Sequence, residues 1–293
     1  MSGAPGGFPA GQHFIPEMLQ KRFVDHRGML WVHDRRRPER GFFRSTPKGI
    51  FKERHLYTVA GPDGSPSALV ERTLGHVENA AGPVLDRVVE HVRAGGRWDL
   101  TSEERVLLLF FLYVQLKGCP EFFRGIPLDE SMETFAEGLI AAWEDANGPM
   151  PPEDRERHLS ADNLEDLQHS ARMKSLMTLS PRVLEALYTR GLTVIHIPRP
   201  DRQFALASLP VVRLKSPSGR MDLGDPEVEL SLPIAPDVAI ASYGMADLNQ
   251  IVHITHDTSI RRVNWELARS SNTIASSSRE LLRSLTRRLP PPV

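Results

Sequence analysis

The sequence predicts an α+β fold, a helical central block packed with a small, mostly antiparallel sheet built from N-terminal and C-terminal strands. Three observations predict it. Apolar residues recur at helical spacing from about 67 to 190, they alternate with period two after Gly191, and one short alternating segment, RGMLWVHD, precedes the helices. The 293 residues are enough to bury a large core without a covalent staple. Residues 12–293 read as one domain, with a helical block over about 67–190 and a strand-rich part over about 192–293. The Gly/Pro-rich residues 1–11 read as a disordered tail.

Each element has its own signal. HFIPEMLQKRF is a short amphipathic piece with Phe14, Met18, Leu19 and Phe23 apolar and Pro16 near its start. In RGMLWVHD, Met29, Trp31 and His33 share one face of a strand and Leu30 and Val32 the other. Phe42 to Val59 is broken by Pro47 and Gly49 and reads as loop with short extended pieces. Ser67 to Val92 is helical, with Pro83 expected to kink or divide it. TSEE at Thr101 is a capping box opening a helix to about Leu116, apolar nearly all round and therefore central. Further helices are expected at about 129–145, 163–177 and 181–190, with the NGPMPPED stretch a hinge or surface loop. LTVIHI, FALAS, VVRL, EVELSLP and VAIASY then read as strands, followed by helices at about 258–268 and 277–289.

Composition removes several classes. A single cysteine, Cys119, excludes an intramolecular disulfide framework and a multi-cysteine zinc site within one chain, and points to a reducing, cytoplasmic setting. The longest apolar run, Val106 to Val114, is too short to span a bilayer, so no membrane partner is expected. The opening SGAPGGFPAG lacks the basic start and apolar core of a signal peptide. There is no Walker loop, no dinucleotide glycine fingerprint and no HExxH. Charge is uneven beneath a net −1: Gln20 to Arg54 holds eleven Lys/Arg against four acids, and Glu121 to Asp166 holds thirteen acids against three arginines. Such asymmetry marks either an anionic partner or acidic and basic segments facing each other inside one fold.

Taken together, QHFIPEMLQKRF, GMLWVHDRRRP and PKGIFKERHLY resemble the opening of a widespread domain-of-unknown-function family. That family begins with His-x-x-Pro and a Trp-Val-Tyr-Asp-like strand. The resemblance continues through the helix carrying Glu71 and Glu78, the TSEERVLLLFFLYVQ helix, FALASLPVV, LSLPIAPD and VNWELARSSNTIASS. Two departures stand out. Gly118-Cys119-Pro120 replaces an Arg-Thr-Pro, and Leu206-Ala207-Ser208-Leu209-Pro210 replaces a Thr-Ser-Asp-x-Pro. The missing arginine and aspartate make a catalytically degenerate member a serious alternative.

Candidate chemistry rests on few residues. Glu71 and Glu78 lie two helical turns apart on one face, where they could share acid–base work or hold a divalent cation, or else form a solvated face beside Arg72. His13 is a candidate base or ligand, or a turn cap. Asn264 follows Arg261 and Arg262 near a helix start and could orient a substrate or bond a loop backbone. Arg22 and Arg262 are candidate phosphate clamps, with Ser208 a further substrate contact. HITHD looks like a metal doublet without further ligands at a recognisable spacing. Asp257 or Thr258 is more simply an N-cap. These residues are expected to line one polar cleft between the helices and the late strands. The reaction expected there is hydrolysis of a phosphoester, nuclease-like or nucleotide-directed, with a bacterial defence or toxin setting as the expected context and nucleic acid or a nucleotide as partner. The alternative is a non-catalytic binding or regulatory component with a protein partner.

Overall fold

The structure, a computed structural model, describes residues 11–60, 65–124, 129–178, 181–216, 218–219, 225, 227–245, 249–287 and 289. The expected tail lies outside these residues except for Gly11, which opens a strand. The first part runs β1 (Gly11–His13), α1 (Glu17–Gln20), β2 (Leu30–Asp34), β3 (Phe42–Ser45), β4 (Lys52–Arg54), β5 (Val59–Ala60) and β6 (Pro66–Ser67). The helical block is α2 (Leu69–Arg93), α3 (Ser102–Lys117), α4 (Pro120–Arg124), α5 (Asp129–Asn147), α6 (Pro152–His158), α7 (Ala161–Met177) and α8 (Pro181–Tyr188). Then come β7 (Arg190–His196), β8 (Leu206–Ala207), β9 (Val212–Leu214), β10 (Glu229–Ala235), β11 (Val238–Met245) and β12 (Asn249–His253). The last elements are α9 (Asp257–Ser270), β13 (Thr273–Ser276) and α10 (Arg279–Thr286).

The fold is α+β, and its strands divide into two principal sheets. N-terminal and C-terminal strands meet in the order β3-β2-β13-β8, antiparallel throughout, with Val32 opposite Ala275. The late strands build a second sheet, β12-β7-β11-β10-β9, in which only the β12–β7 pair is parallel. Two small ribbons, β1-β4 and β5-β6, complete the set. Residues Val194, Leu232 and Ile240 lie on one face of the five-stranded sheet, are fully buried, and join the main core. Helix α3 runs through that core, its Leu108, Leu109, Phe111 and Leu112 all at 1% exposure or less, as its all-round apolarity requires. Its capping box is formed in both directions, Glu104 N to Thr101 Oγ1 at 3.2 Å and Thr101 N to Glu104 Oε2 at 3.1 Å.

Two expectations about proline are narrowed. Of the kink or division expected at Pro83, the division does not occur: α2 is one helix through that residue. The Gly82 carbonyl beside it accepts from Arg22 (3.2 Å), whose guanidinium also binds Asp86 one turn further on. The stretch expected as hinge or loop is loop over 148–151 but already contains the start of α6, because Pro151 and Pro152 fall at the N-cap and the first helical position, where a missing N–H costs nothing. Much of the basic charge near the N-terminus is used internally. Arg22 pairs with Asp86, Arg36 with Asp34, and Arg44 with Asp25. Arg35 is buried and donates to the carbonyls of Ala268 (2.8 Å), Arg269 (3.0 Å) and Ser271 (2.7 Å), closing the C-terminal end of α9. No helix among the described residues is long and apolar enough to cross a membrane.

Candidate functional site

The best-built polar cluster forms where β1 and β4 pass over the first half of α2. Glu71 and Glu78 lie two helical turns apart, so both carboxyls project on one stripe, and both side chains are half-buried. The side chain that reaches Glu71 from the ribbon is Gln12, which is almost fully buried. Its Oε1 accepts the Tyr57 backbone N–H (2.6 Å), which fixes the amide orientation and sends Nε2 to Glu71 Oε2 (2.7 Å) and toward Thr58 Oγ1 (3.4 Å). Below them the Tyr57 hydroxyl donates to the Gly118 carbonyl (2.9 Å).

Electrostatics follow from this crowding. Burial, reinforced by the neighbouring Glu71 charge, pushes the Glu78 carboxyl up to about 7. Burial also drives the Tyr57 phenol well above its ordinary value, with Cys119, Glu78, Glu53 and Glu71 adding in the same direction, so it stays a neutral donor. Glu53 belongs to β4, directly opposite Gln12 in the ribbon. That three-residue strand is bracketed by Phe51 and His55, two non-glycine residues held at φ 54°. Each such conformation costs on the order of 1–2 kcal/mol, which makes the segment a place where strain is stored. A cavity of about 260 Å³ opens on it, lined by Glu53, Arg54, His55, Glu165, His169 and Arg172 among others. His169 donates Nε2–H to the Thr58 carbonyl (2.8 Å), so in its neutral form Nδ1 carries the lone pair. The segment from Glu53 to Thr58 therefore joins the carboxylate pair to a polar cavity.

The other residues expected in one cleft are placed elsewhere. His13 is the next residue of β1 after Gln12, so strand alternation turns it to the opposite face, beside Lys52 across the ribbon. Its Nδ1 stands 3.8 Å from Glu17, and burial lowers its pKa against the opposing pull of Glu17 and of the Pro47 and Lys48 backbone. Arg22 is the brace between α1 and α2 already described. Asn264 is buried and bonds loop backbone, accepting from Ala205 N (2.8 Å) and donating to Gln203 O (2.9 Å). Ser208 is a buried junction that accepts from the N–H groups of Asn272 (3.1 Å) and Thr273 (3.0 Å) and donates to Glu121. Arg262 lines a separate cavity on the five-stranded sheet. Asp257 is the first residue of α9, gripped by Arg199 and Arg202, rather than its cap. His253 meets His196 (3.1 Å between Nδ1 atoms) on the neighbouring strand. Among the described residues no group of three or more His, Cys, Asp or Glu could hold a metal ion, so the pair Glu71–Glu78 lacks the third ligand that His13 was expected to supply. Sequence reasoning passed over Gln12, Glu53, Tyr57 and His169. Only Gln12 carried a signal, as the alternate position to His13.

A family model described as "Protein of unknown function (DUF4238)" matches residues 11–280. The chain belongs to that family. The match spans both principal sheets, α2 and the whole candidate site. No curated protein and no solved structure matches the chain.

Proposed function

We propose that the chain is an acid–base hydrolase of phosphoester-type substrates, nuclease-like or nucleotide-directed, with Glu71 and Glu78 as its working pair. The observation that carries this reading is the Glu78 carboxyl held near 7 beside a second carboxylate that Gln12 fixes in place. A group poised near neutrality both gives and takes protons at working pH. Seven residues of helix separate the two Cα atoms by about 10 Å along the axis. In the proposed step the Glu71 carboxylate takes a proton from the attacking water as its oxygen bonds to phosphorus. Glu78 gives its proton to the leaving oxygen as the other P–O bond breaks. Transfer of the proton from Glu71 to Glu78 through solvent then restores the pair. Exposed Arg72, beside Glu71, and Arg54, at the cavity, supply positive charge for the anion. The test is hydrolysis of bis(p-nitrophenyl) phosphate and of nucleotide p-nitrophenyl esters, with and without added magnesium or manganese. Glu78→Gln should lower turnover by about 10²–10⁴-fold with the circular dichroism unchanged. Undiminished turnover in that variant refutes the proposal.

One observation favours a second reading, a binding component of a protein assembly. Helix α5 buries Met132, Ala136 and Ile140 but leaves Phe135, Leu139 and Trp143, a stripe at four-residue spacing, 45–50% exposed. If that stripe is the functional surface, Trp143→Glu abolishes the biological effect while Glu78→Gln leaves it intact. The reverse pattern rejects this second reading.

A further inference from the structure

The five-stranded sheet has two chemically different faces. One carries Val194, Leu232 and Ile240 into the core. The other, on the alternate residues, shares with α9 a cavity of about 310 Å³. That volume is at the small end of the range for ligand cavities, roughly 300–1,000 Å³. Its walls are mostly aliphatic, with Ile195 of β7, Leu214 of β9 and Val263 of α9. Six residues with polar groups interrupt them, Thr193, Glu229, Tyr243, Gln250, Ser259 and Arg262. Thr193 is 5% exposed, lines the cavity, and has no partner for its hydroxyl among the described residues. Glu229 projects from β10, and Arg262 from α9 on the other side. Burial raises the Glu229 pKa and the Arg262 charge opposes that rise. No hydrogen bond or ion pair joins these two side chains among the described residues.

Charge and shape together restrict what fits. A ligand bearing only a carboxylate would meet Arg262 well but bring a like charge to Glu229. A ligand bearing only an ammonium would have the converse fault at Arg262. A molecule with both ends answers both, and its apolar part has the aliphatic wall to cover. We infer that the cavity between α9 and the sheet binds a small zwitterion with an apolar side chain, the chemistry of a free aliphatic α-amino acid. Its carboxylate faces the Arg262 guanidinium, its ammonium the Glu229 carboxylate, and its side chain packs on Ile195, Leu214 and Val263. The Thr193 hydroxyl supplies a further hydrogen bond, and binding draws Glu229 toward its ionised form.

Calorimetric titration of the full chain tests this, using L-leucine and two single-ended analogues of the same shape, 4-methylpentanoate and 3-methylbutylamine. Leucine should bind, and each analogue should bind at least about tenfold more weakly, the loss expected for one charge-assisted hydrogen bond. Glu229→Gln should weaken leucine by about the same factor while leaving 4-methylpentanoate unweakened. Absence of binding by leucine, isoleucine, valine and methionine overturns the inference. So do analogues that bind as tightly as leucine, or a folded Glu229→Gln variant that binds leucine undiminished. The comparison of ligands on the unaltered chain decides the matter even where the variant does not fold. Because the readout is heat of binding, the result is independent of any phosphoesterase activity.

Discussion

Replacing Glu78 by Gln should change how stability depends on pH, and the structure sets the size of the change. Burial, then the Glu71 charge, moves this carboxyl from an ordinary value of 4.5 to about 7. A displacement of that size corresponds to about 3 kcal/mol between the protonated and ionised forms. The folded chain thus holds the proton more tightly than the unfolded chain does. The contribution is fully present below 4.5, shrinks as pH rises through the window from 4.5 to about 7, and is gone above it. Glutamine has the shape of the protonated acid and does not titrate. Urea unfolding of wild type and Glu78→Gln should therefore give similar stabilities near pH 4.5. The difference should grow with pH until the variant is the more stable by up to about 3 kcal/mol at pH 8. Glu71→Gln should reduce the wild-type dependence without removing it, because burial is the larger cause. A difference between wild type and Glu78→Gln that is constant across this range would refute the burial argument and, with it, the assignment of Glu78 as a proton carrier near neutrality.

Three further outcomes are expected. Arg35→Met removes a buried cation from three carbonyls at 2.7–3.0 Å, and should cost about 3 kcal/mol in urea unfolding. A loss of less than about 1 kcal/mol, the scale of an ordinary surface change, would remove Arg35 as the cap of α9. Asn264→Ala deletes the two bonds to Ala205 and Gln203 and should cost about 2 kcal/mol with turnover per folded molecule unchanged; lost turnover at unaltered stability would return Asn264 to the reaction. In double-mutant cycles of stability, Gln12→Leu with Glu71→Gln should show coupling of about 1 kcal/mol, and His13→Ala with Glu71→Gln less than about 0.3 kcal/mol; coupling at His13 would invert the assigned strand faces.

Elements whose signal is local were legible in the sequence. The capping box at Thr101 needs only residues three apart, and the all-round apolarity of α3 announces burial without reference to any partner. The same holds for the period-two runs that became β7, β10 and β11. What was not legible depends on pairing. Residues 249–253 have no strong strand pattern of their own, and become β12 because β7 offers them a parallel edge. Nor does any feature of the late sequence say that its strands divide between two sheets, since that division depends on β13 and β8 joining β2 rather than β10. The prolines before α6 misled for a more specific reason. A proline is a breaker inside a helix and a favoured residue at its first position, and residues 151–152 fall at the start.

The candidate site divides along the same line. Glu71 and Glu78 were legible because seven residues of helix return to one face whatever packs there. Their partner was not, because a polar residue on a short strand serves a site according to parity, and parity cannot be assigned until the strand's buried face is known. His13 looked the more reactive side chain, yet Gln12, one residue earlier, has the inward position, and the Tyr57 N–H sets which end of its amide reaches Glu71. The remaining expected residues share a second trait. Arg22, Ser208 and Asn264 are each bound to groups at least 59 positions away in sequence, Arg22 to Asp86, Ser208 to Asn272, Asn264 to Ala205. A side chain that ties distant segments together and one that meets a substrate present the same residue types to a reader of the sequence. They differ in whether their polar atoms are already engaged in the folded chain. By that criterion we propose function for Glu78 and Glu229, whose carboxyls burial raises, and the braces belong to the scaffold that holds them.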